Sequence, residues 1–397
     1  RPWRMPTTLV ESRSGSKEES NLCHSENDRP LCWSFTTLQN HGRSLCGATS
    51  SEAEIMNFKA FLNTVSEKVY TLPIVILYVT EACNLKCTMC SYRERLPSEL
   101  SLDEIADLAI KLQEFGLRRV VYSGGEPLLR RDFPAICKVF RSGDVKQTLL
   151  TNGLLLEKRI REVASFLDEL IVSLDGATDL VHNEIRGVNS FGTILRGIRR
   201  VKESNPQTRL ALRMVVQKKN FREIPGIIEL GLSLRVHRVS FLAVDVLSGA
   251  FARDRLPMDA RNGLQLNLHE AQELREIVWE LRRKNGDLFA SGFIAESPAR
   301  LMQIADYFEA LSDGKDFPRV LCNAPRVSAV ITSAGDLLPC FFLPKVGNVR
   351  EEKMLNLLNS LPMIEVRREV RAYSLERCRT CVCSLNIQPL MALANSF

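Results

Sequence analysis

Three thiols stand close together in the run Cys83-Asn84-Leu85-Lys86-Cys87-Thr88-Met89-Cys90, a C-x3-C-x2-C spacing placed just after the apolar run Ile74 to Val79. Thiolates are soft ligands that favour iron–sulfur clusters or zinc. Three on one tight loop suit three corners of a four-iron cluster and leave the fourth iron open. Zinc would need a fourth protein ligand to close its tetrahedron, and the loop offers no nearby His or fourth Cys. A second set of residues suits a charged ligand. In Tyr122-Ser123-Gly124-Gly125-Glu126-Pro127, two glycines allow close backbone approach and a carboxylate can accept from an ammonium group. Thr151-Asn152-Gly153 and Ser173-Leu174-Asp175-Gly176 follow, then His182, Arg186 and Gly187. An Arg can grip a carboxylate with two parallel hydrogen bonds. Taken singly, these are turn signals and a solvated Arg. His182 reads as a structural polar residue.

A second cysteine group opens at Cys322, continues through Gly335-Asp336-Leu337-Leu338-Pro339-Cys340 and closes with Cys378-Arg379-Thr380-Cys381-Val382-Cys383. Its local spacing leaves a structural zinc site of four thiolates as a rival to an iron–sulfur cluster. The chain has twelve cysteines, and eight of them lie in these two groups. A disulfide framework belongs to small secreted domains, and no N-terminal stretch has the apolar core of a signal peptide. The thiols therefore point to metal or cluster binding in a reducing cytoplasm. Cys137 reads as a buried core thiol. Cys23, Cys32 and Cys46 are too irregularly spaced to suggest ligation.

These residues need a scaffold, and 397 residues can build a large core. Residues 1–55 are polar, lack a sustained apolar period and read as a disordered extension. Met56 opens the first coherent pattern, so the stretch before it reads as lying outside the functional fold. Apolar, β-branched runs predict strands at Ile74–Thr80, Arg119–Tyr122, Gln147–Thr151, Leu170–Leu174, Leu210–Val216 and Val236–Ala243. Helices fall between them. Ser101 and Glu104 form a capping box before the apolar face of Ile105, Leu108, Ala109 and Leu112, and Gly116 sits at the expected C-terminal cap. Phe191 to Lys202 is a second, with Ile194, Ile198 and Val201 on one face. Asp245 to Asn262 reads as a long loop, followed by helices at His269–Lys284 and Pro298–Leu311. Six β-α alternations imply an α/β fold with a parallel sheet. The longest apolar run, Leu72 to Val79, is far too short to span a bilayer. A net charge of +6, spread along the chain, leaves no nucleic-acid footprint.

At Cys83, Cys87 and Cys90, and at the Gly-Gly-Glu-Pro run one β-α unit later, the chain resembles the radical S-adenosylmethionine (SAM) enzymes. The resemblance implies a partial (β/α)6 TIM-like barrel over residues 70–300, with its chemistry at the C-terminal strand ends. It implies a SAM-binding [4Fe-4S] cluster on Cys83, Cys87 and Cys90. Gly124, Gly125 and Glu126 would hold the SAM amino group and Met89 would pack on the adenine. Ser173 would contact the ribose or carboxylate and Arg186 the carboxylate, with Asn152, Asp175 and Arg213 also facing the cofactor. Residues 318–390 resemble the C-terminal SPASM or twitch extension, the match running from about Cys322 to Asn386. A full SPASM domain needs more cysteines, spaced C-x2-C-x5-C-x3-C with another beyond. One auxiliary [4Fe-4S] cluster on Cys322, Cys340, Cys378 and Cys381 is therefore the expectation, with Cys383 able to replace Cys381 or to sit beside the cluster. Such an enzyme cleaves SAM reductively to a 5′-deoxyadenosyl radical that takes hydrogen from its substrate. The substrate is a ribosomally made peptide or a small-molecule intermediate, and the electron donor is of the flavodoxin or ferredoxin kind. The rival of another class is a non-enzymatic metal- or iron–sulfur-binding protein. Cobalamin-dependent methyl transfer is disfavoured, because no room remains for a cobalamin domain.

Overall fold

The computed structural model describes residues 50–141, 145–383 and 385–393. The reading of residues 1–49 as disordered, and Cys23, Cys32 and Cys46, lie outside the described residues. From Ser50 the chain is helical: α1 spans Ser50–Val65. Met56 is thus inside a helix, and its sulfur accepts from Thr71 Oγ1 at 3.3 Å. Asn63, fully buried on the same helix, donates to the Thr71 and Arg326 carbonyls at 2.7 and 2.9 Å. The helix thus starts six residues before Met56, and its contacts from Met56 and Asn63 tie it to Thr71 ahead of the first strand and to Arg326 in the C-terminal region.

The alternation then runs β1 (Ile74–Thr80), α2 (Leu102–Glu114), β2 (Arg119–Gly124), α3 (Phe133–Arg141), β3 (Lys146–Thr151), α4 (Leu156–Val163), β4 (Glu169–Ser173), α5 (Asp179–Arg186), α6 (Phe191–Ser204), β5 (Arg209–Val216), α7 (Ile224–Ser233) and β6 (Arg238–Ala243). All six expected strands are present within two residues of their expected ends. The Ser101–Glu104 capping box forms, and Ile105, Leu108, Ala109 and Leu112 are buried. Helix α5 was not foreseen: its eight residues are too few to display a helical period.

Strands β1 to β6 pair in parallel and in sequence order, as βα units with short loops dictate. The sheet stays open, as a partial barrel should. Its β1 edge is extended by β7 (Ser328–Ile331), which pairs parallel with β1, then by β8 (Asp336–Leu338) and β9 (Gly347–Asn348), both antiparallel. The cysteine-bearing C-terminal region is thereby built into the same nine-stranded sheet. Alternation along β1 does the rest. Val75, Leu77 and Val79 join the main core under the helices, while Ile74, Ile76 and Tyr78 join the inner one.

The segment 245–262 is only partly loop: it contains a 3-10 turn at Ala250–Arg255 and a short helix at Met258–Asn262. Helices at Leu268–Lys284 and Pro298–Asp313 follow. No helix among the described residues is long and apolar enough to cross a membrane.

Candidate active site: two cysteine groups inside one open barrel

The first cysteine loop leaves the C-terminal end of β1 and is pinned by neighbours as well as by its own hydrogen bonds, such as Cys90 N to the Cys87 carbonyl at 3.4 Å. Lys86 and Thr88 donate backbone N–H groups to the carbonyls of Arg186 and Ile185, at 3.0 and 2.9 Å. Those carbonyls end α5, where no helical partner remains for them. Gly187 makes this contact sterically allowed: its φ is +69°, and a Cβ there would lie 2.3 Å from the Lys86 carbonyl. Gly124 and Gly125 do the same for the β2 end. A Cβ on either would fall 2.3 or 2.2 Å from the carbonyl oxygens of Thr80 or Ala82. Thus the glycines let the β2 turn lie against the cysteine loop.

Asn152 joins the loop from β3, donating to Asn84 Oδ1 at 2.8 Å with Cys83 Sγ at 3.7 Å. Arg186 Nη1 lies 3.7 Å from Cys87 Sγ, and Arg186 Nη2 pairs with Asp175 at 2.7 Å. Burial works against the Arg186 charge, but Asp175 and the nearby thiols outweigh it and hold the guanidinium charged. Its Nε is buried without a hydrogen-bond partner, a donor suited to an incoming carboxylate. Met89 is buried between the thiols, with Gln217 Nε2 at 3.9 Å from its sulfur. Ser173, half-buried at the end of β4, is in register with Arg213 of β5, whose Nε donates to Ser240 Oγ at 3.0 Å.

Two of the expected contacts differ. Glu126 does not present a free carboxylate. It is fully buried and accepts from Leu128 N, Thr151 Oγ1 and Asn152 N at 3.1, 2.8 and 2.7 Å. Asp175 is also fully buried, accepting from Val215 N at 2.8 Å and pairing with Arg186. A carboxylate cut off from water takes the donors closest to it, and here these are strand-end amides and one Arg. His182 is structural, as read: its Nδ1 accepts from Asp175 N at 3.3 Å, and burial keeps it neutral, its pKa lowered to about 3.

Burial pushes the Glu126 carboxyl up to about 7, against the pull of its three donors. A free Glu titrates near ~4.3, so the folded protein holds an extra proton between the two values. Glu126 therefore supports the fold fully below the unfolded value, and that support is lost as pH rises through about 7. Its size is on the order of 3 kcal/mol. Urea unfolding of the metal-free protein at pH 5 and pH 8 should show this slope, and Glu126→Gln should flatten it. An unchanged slope in the variant would refute the assignment.

The second group gathers in one chamber. Cys322, Cys340, Cys378, Cys381 and Cys383 all line it, with Ile74 and Ile76 of β1 and Val330 of β7 as its wall. Backbone amides point at these sulfurs: Ala324 N at Cys322 (3.4 Å) and Cys383 N at Cys381 (3.4 Å). The same holds for Leu85 N at Cys83, Tyr92 N at Cys90, and Phe342 N and Leu343 N at Cys340. Such donors stabilise metal-bound thiolates. Without a metal, burial pushes the thiols up: Cys83 and Cys378 to about 11, Cys340 to about 12. The nine cysteines among the described residues are all free, and Cys137 is a buried core thiol on α3, as expected. Among the described residues no three His, Cys, Asp or Glu side chains converge on a single metal ion.

Sequence reasoning missed the residues that join the two groups. Tyr78, on the same face of β1 as Ile74 and Ile76, stacks on Phe341 at 6.3 Å and meets Tyr92 edge-on at 6.2 Å. Tyr92 is two residues after Cys90 and Phe341 is one after Cys340. Phe251 stacks on the other face of this column, 5.8 Å from Phe341. Period-two alternation in β1 could have placed Tyr78 inward, but nothing in the sequence paired it with Phe341.

A family model described as the radical SAM superfamily matches residues 77–231, and one described as an iron–sulfur cluster-binding domain matches residues 322–382. The chain is similar to Fe-coproporphyrin III synthase of Methanosarcina barkeri, 30% identical over 56% of this chain and 54% of that protein. It is also similar to a probable GTP 3′,8-cyclase of Methanococcus maripaludis, 32% identical over 38% of this chain and 53% of that one. It thus spans about half the length of these relatives. In fold it is similar to Streptococcus suis SuiB bound to the precursor peptide SuiA, with a TM-score of 0.55 and 16% identity over 88% of this chain and 80% of SuiB. It is similar too to anSMEcpe with bound AdoMet and a Cp18Cys peptide, with a TM-score of 0.56 and 16% identity over 82% and 96% of the two chains.

Proposed function

Because this chain belongs to the radical SAM superfamily and carries a SPASM iron–sulfur domain, we propose that it is a two-cluster radical enzyme that modifies a ribosomally made peptide. The observation that carries this reading is the inner face of β1. Ile74 and Ile76 wall the second cysteine chamber, while Tyr78 meets Tyr92 beside the first cysteine loop, so Cys83 and Cys90 of one group and Cys322 and Cys340 of the other pack against one inner cluster.

In this reading Cys83, Cys87 and Cys90 hold the first four-iron cluster, and Cys322, Cys340, Cys378 and Cys381 hold the second. With SAM bound, the reduced first cluster supplies a 5′-deoxyadenosyl radical able to take hydrogen from an unreactive C–H bond. The chain's own residues bind and orient. Arg186, with its unpaired Nε, takes the SAM carboxylate, and the Gly124–Gly125 backbone takes the ammonium group. Ser173, Asn152 and Met89 complete the cradle. Glu126 fixes the β2 and β3 ends, and Asp175 fixes Arg186. The aromatic column of Tyr92, Tyr78, Phe341 and Phe251 keeps water from the space between the groups. Electrons come from a flavodoxin- or ferredoxin-type donor in a reducing compartment, the cytoplasm, which suits nine free thiols.

The peptide is favoured by the fold neighbour that holds a precursor peptide. A small-molecule substrate is the second reading, favoured by the sequence relatives named for a coproporphyrin and for GTP. Anaerobic reconstitution with iron counting and electron paramagnetic resonance tests the core of the proposal. About eight irons, a signal perturbed by SAM and release of 5′-deoxyadenosine are expected. No cleavage by a folded, cluster-loaded sample would overturn it.

The fourth ligand of the second cluster has its own test. Cys381→Ser should lower bound iron by about four, whereas Cys383→Ser should leave it unchanged. Cys381 already receives the Cys383 amide at 3.4 Å. The reverse pattern would make Cys383 the ligand.

A further inference from the structure

One buried carboxylate reaches the surroundings of both cysteine groups. Asp245, two residues beyond β6, is 1% exposed. Its Oδ1 accepts from Arg377 Nη2 at 2.8 Å, and its Oδ2 lies 3.6 Å from Arg253 Nη1. Arg253 Nε in turn donates to the Met89 carbonyl, inside the first cysteine loop, at 2.9 Å. Arg377 directly precedes Cys378, lines the second chamber and lies over the Phe342 ring at 5.1 Å. Met89, Arg253, Asp245, Arg377 and Cys378 thus form an unbroken series of contacts between two sites whose ligands never touch.

The backbone around Arg253 is held in a costly shape. Phe251 and Ala252 have φ of +61° and +56°, in the left-handed region that non-glycine residues avoid. Consecutive residues stay there only when surrounding contacts over-determine them. Here Ser91 N binds the Phe251 carbonyl at 3.2 Å, and Asp245 and Met89 hold Arg253. Asp245 also closes its own turn, accepting from Leu247 N at 3.2 Å and from Ser248 Oγ.

We infer that Asp245 is a positioning residue that couples the two cluster sites, by holding Arg253 against the first cysteine loop and Arg377 beside the second. Both guanidiniums are charged and largely buried, so removing their shared anion changes the field and the fit at both ends. This inference rests on the two-cluster reading above.

The test uses the full chain, reconstituted anaerobically, with each cluster's reduction potential followed by electron paramagnetic resonance, with and without SAM. Asp245→Asn should keep about eight irons and move both potentials positive, because a negative charge is lost beside two remaining cations. A tenfold change in each reduction equilibrium is the expected scale, about 59 mV for a one-electron couple. Asp245→Glu, which keeps the charge, should restore most of both shifts. Arg377→Gln should alter the SAM-sensitive signal of the first cluster, and should stop doing so in the Asp245→Asn background. If Asp245→Asn moves only one potential, or if Arg377→Gln acts on the first cluster equally in both backgrounds, the coupling role is overturned. Should Asp245→Asn not fold, Arg377→Gln alone still decides: a first cluster whose SAM-sensitive signal is indifferent to it overturns the inference. A wild-type protein with only about four irons would remove the two-cluster reading itself, and the inference with it.

Discussion

Replacing Cys87 with serine is expected to abolish 5′-deoxyadenosine formation and the SAM-sensitive paramagnetic signal, and to lower bound iron by about four per chain. Cys87 is the buried middle thiol of the first loop, and Arg186 Nη1 rests 3.7 Å from its sulfur. A serine hydroxyl is a hard ligand with a far higher pKa, and a buried site gives it no help in ionising. Two cysteines cannot hold three corners of a cluster. The second chamber lies on the other side of the Tyr78–Phe341 contact, so its iron should remain. Cys137→Ala, a change in the α3 core, serves as the control and should keep both clusters. Iron and sulfide counts with chromatography of the nucleoside check the result. A Cys87→Ser protein that still cleaved SAM at the normal rate would remove the first loop from the active site.

The second large effect concerns stability. Asp175→Asn should destabilise the metal-free protein by about 3–5 kcal/mol, the usual consequence of removing one partner from a buried ion pair. Asp175 is fully enclosed and Arg186 is 7% exposed, so neither water nor salt can replace the lost charge. The asparagine keeps the Val215 contact, but the guanidinium is left charged in the protein interior. Because the α5 carbonyls of Ile185 and Arg186 anchor Thr88 and Lys86, movement of Arg186 also loosens the first cysteine loop. Weaker SAM binding should accompany the loss of stability. Arg186→Met in the same chain should recover much of the stability and none of the binding, since an apolar side chain removes the unpaired charge. Urea unfolding of the three proteins under anaerobic conditions measures this. A change below ~1 kcal/mol for Asp175→Asn would mean the pair is more solvated than its burial indicates.

The barrel strands were legible because each is a short apolar run with turn residues at its end, and α2 because its capping box is local. Helix α5 was not, because eight residues are too few to display a helical period, nor was the 3-10 turn at Ala250–Arg255, whose Phe251 carbonyl is held by Ser91 of the cysteine loop. The nearness of Cys83, Cys87 and Cys90 was readable from spacing alone, since three thiols within eight residues are already close in space. The partners of the Glu126 and Asp175 carboxylates were not. A carboxylate at a strand end looks the same in sequence whether it faces a ligand or turns inward to three donors.

Some properties of this protein follow from residue order over short distances: the three-thiol loop and the parallel βα alternation. Short-range order suffices there because the interacting groups lie within a turn or one βα unit of each other. The second cysteine group, from Cys322 to Cys383, meets in one chamber only in the fold. Others exist only once the chain is folded. Strand β7 extends the β1 edge, Tyr78 bridges to Phe341, and Asp245 stands between arginines 8 and 132 residues away. These depend on which faces and edges remain unpaired after the barrel strands assemble, and residue spacing carries no trace of that.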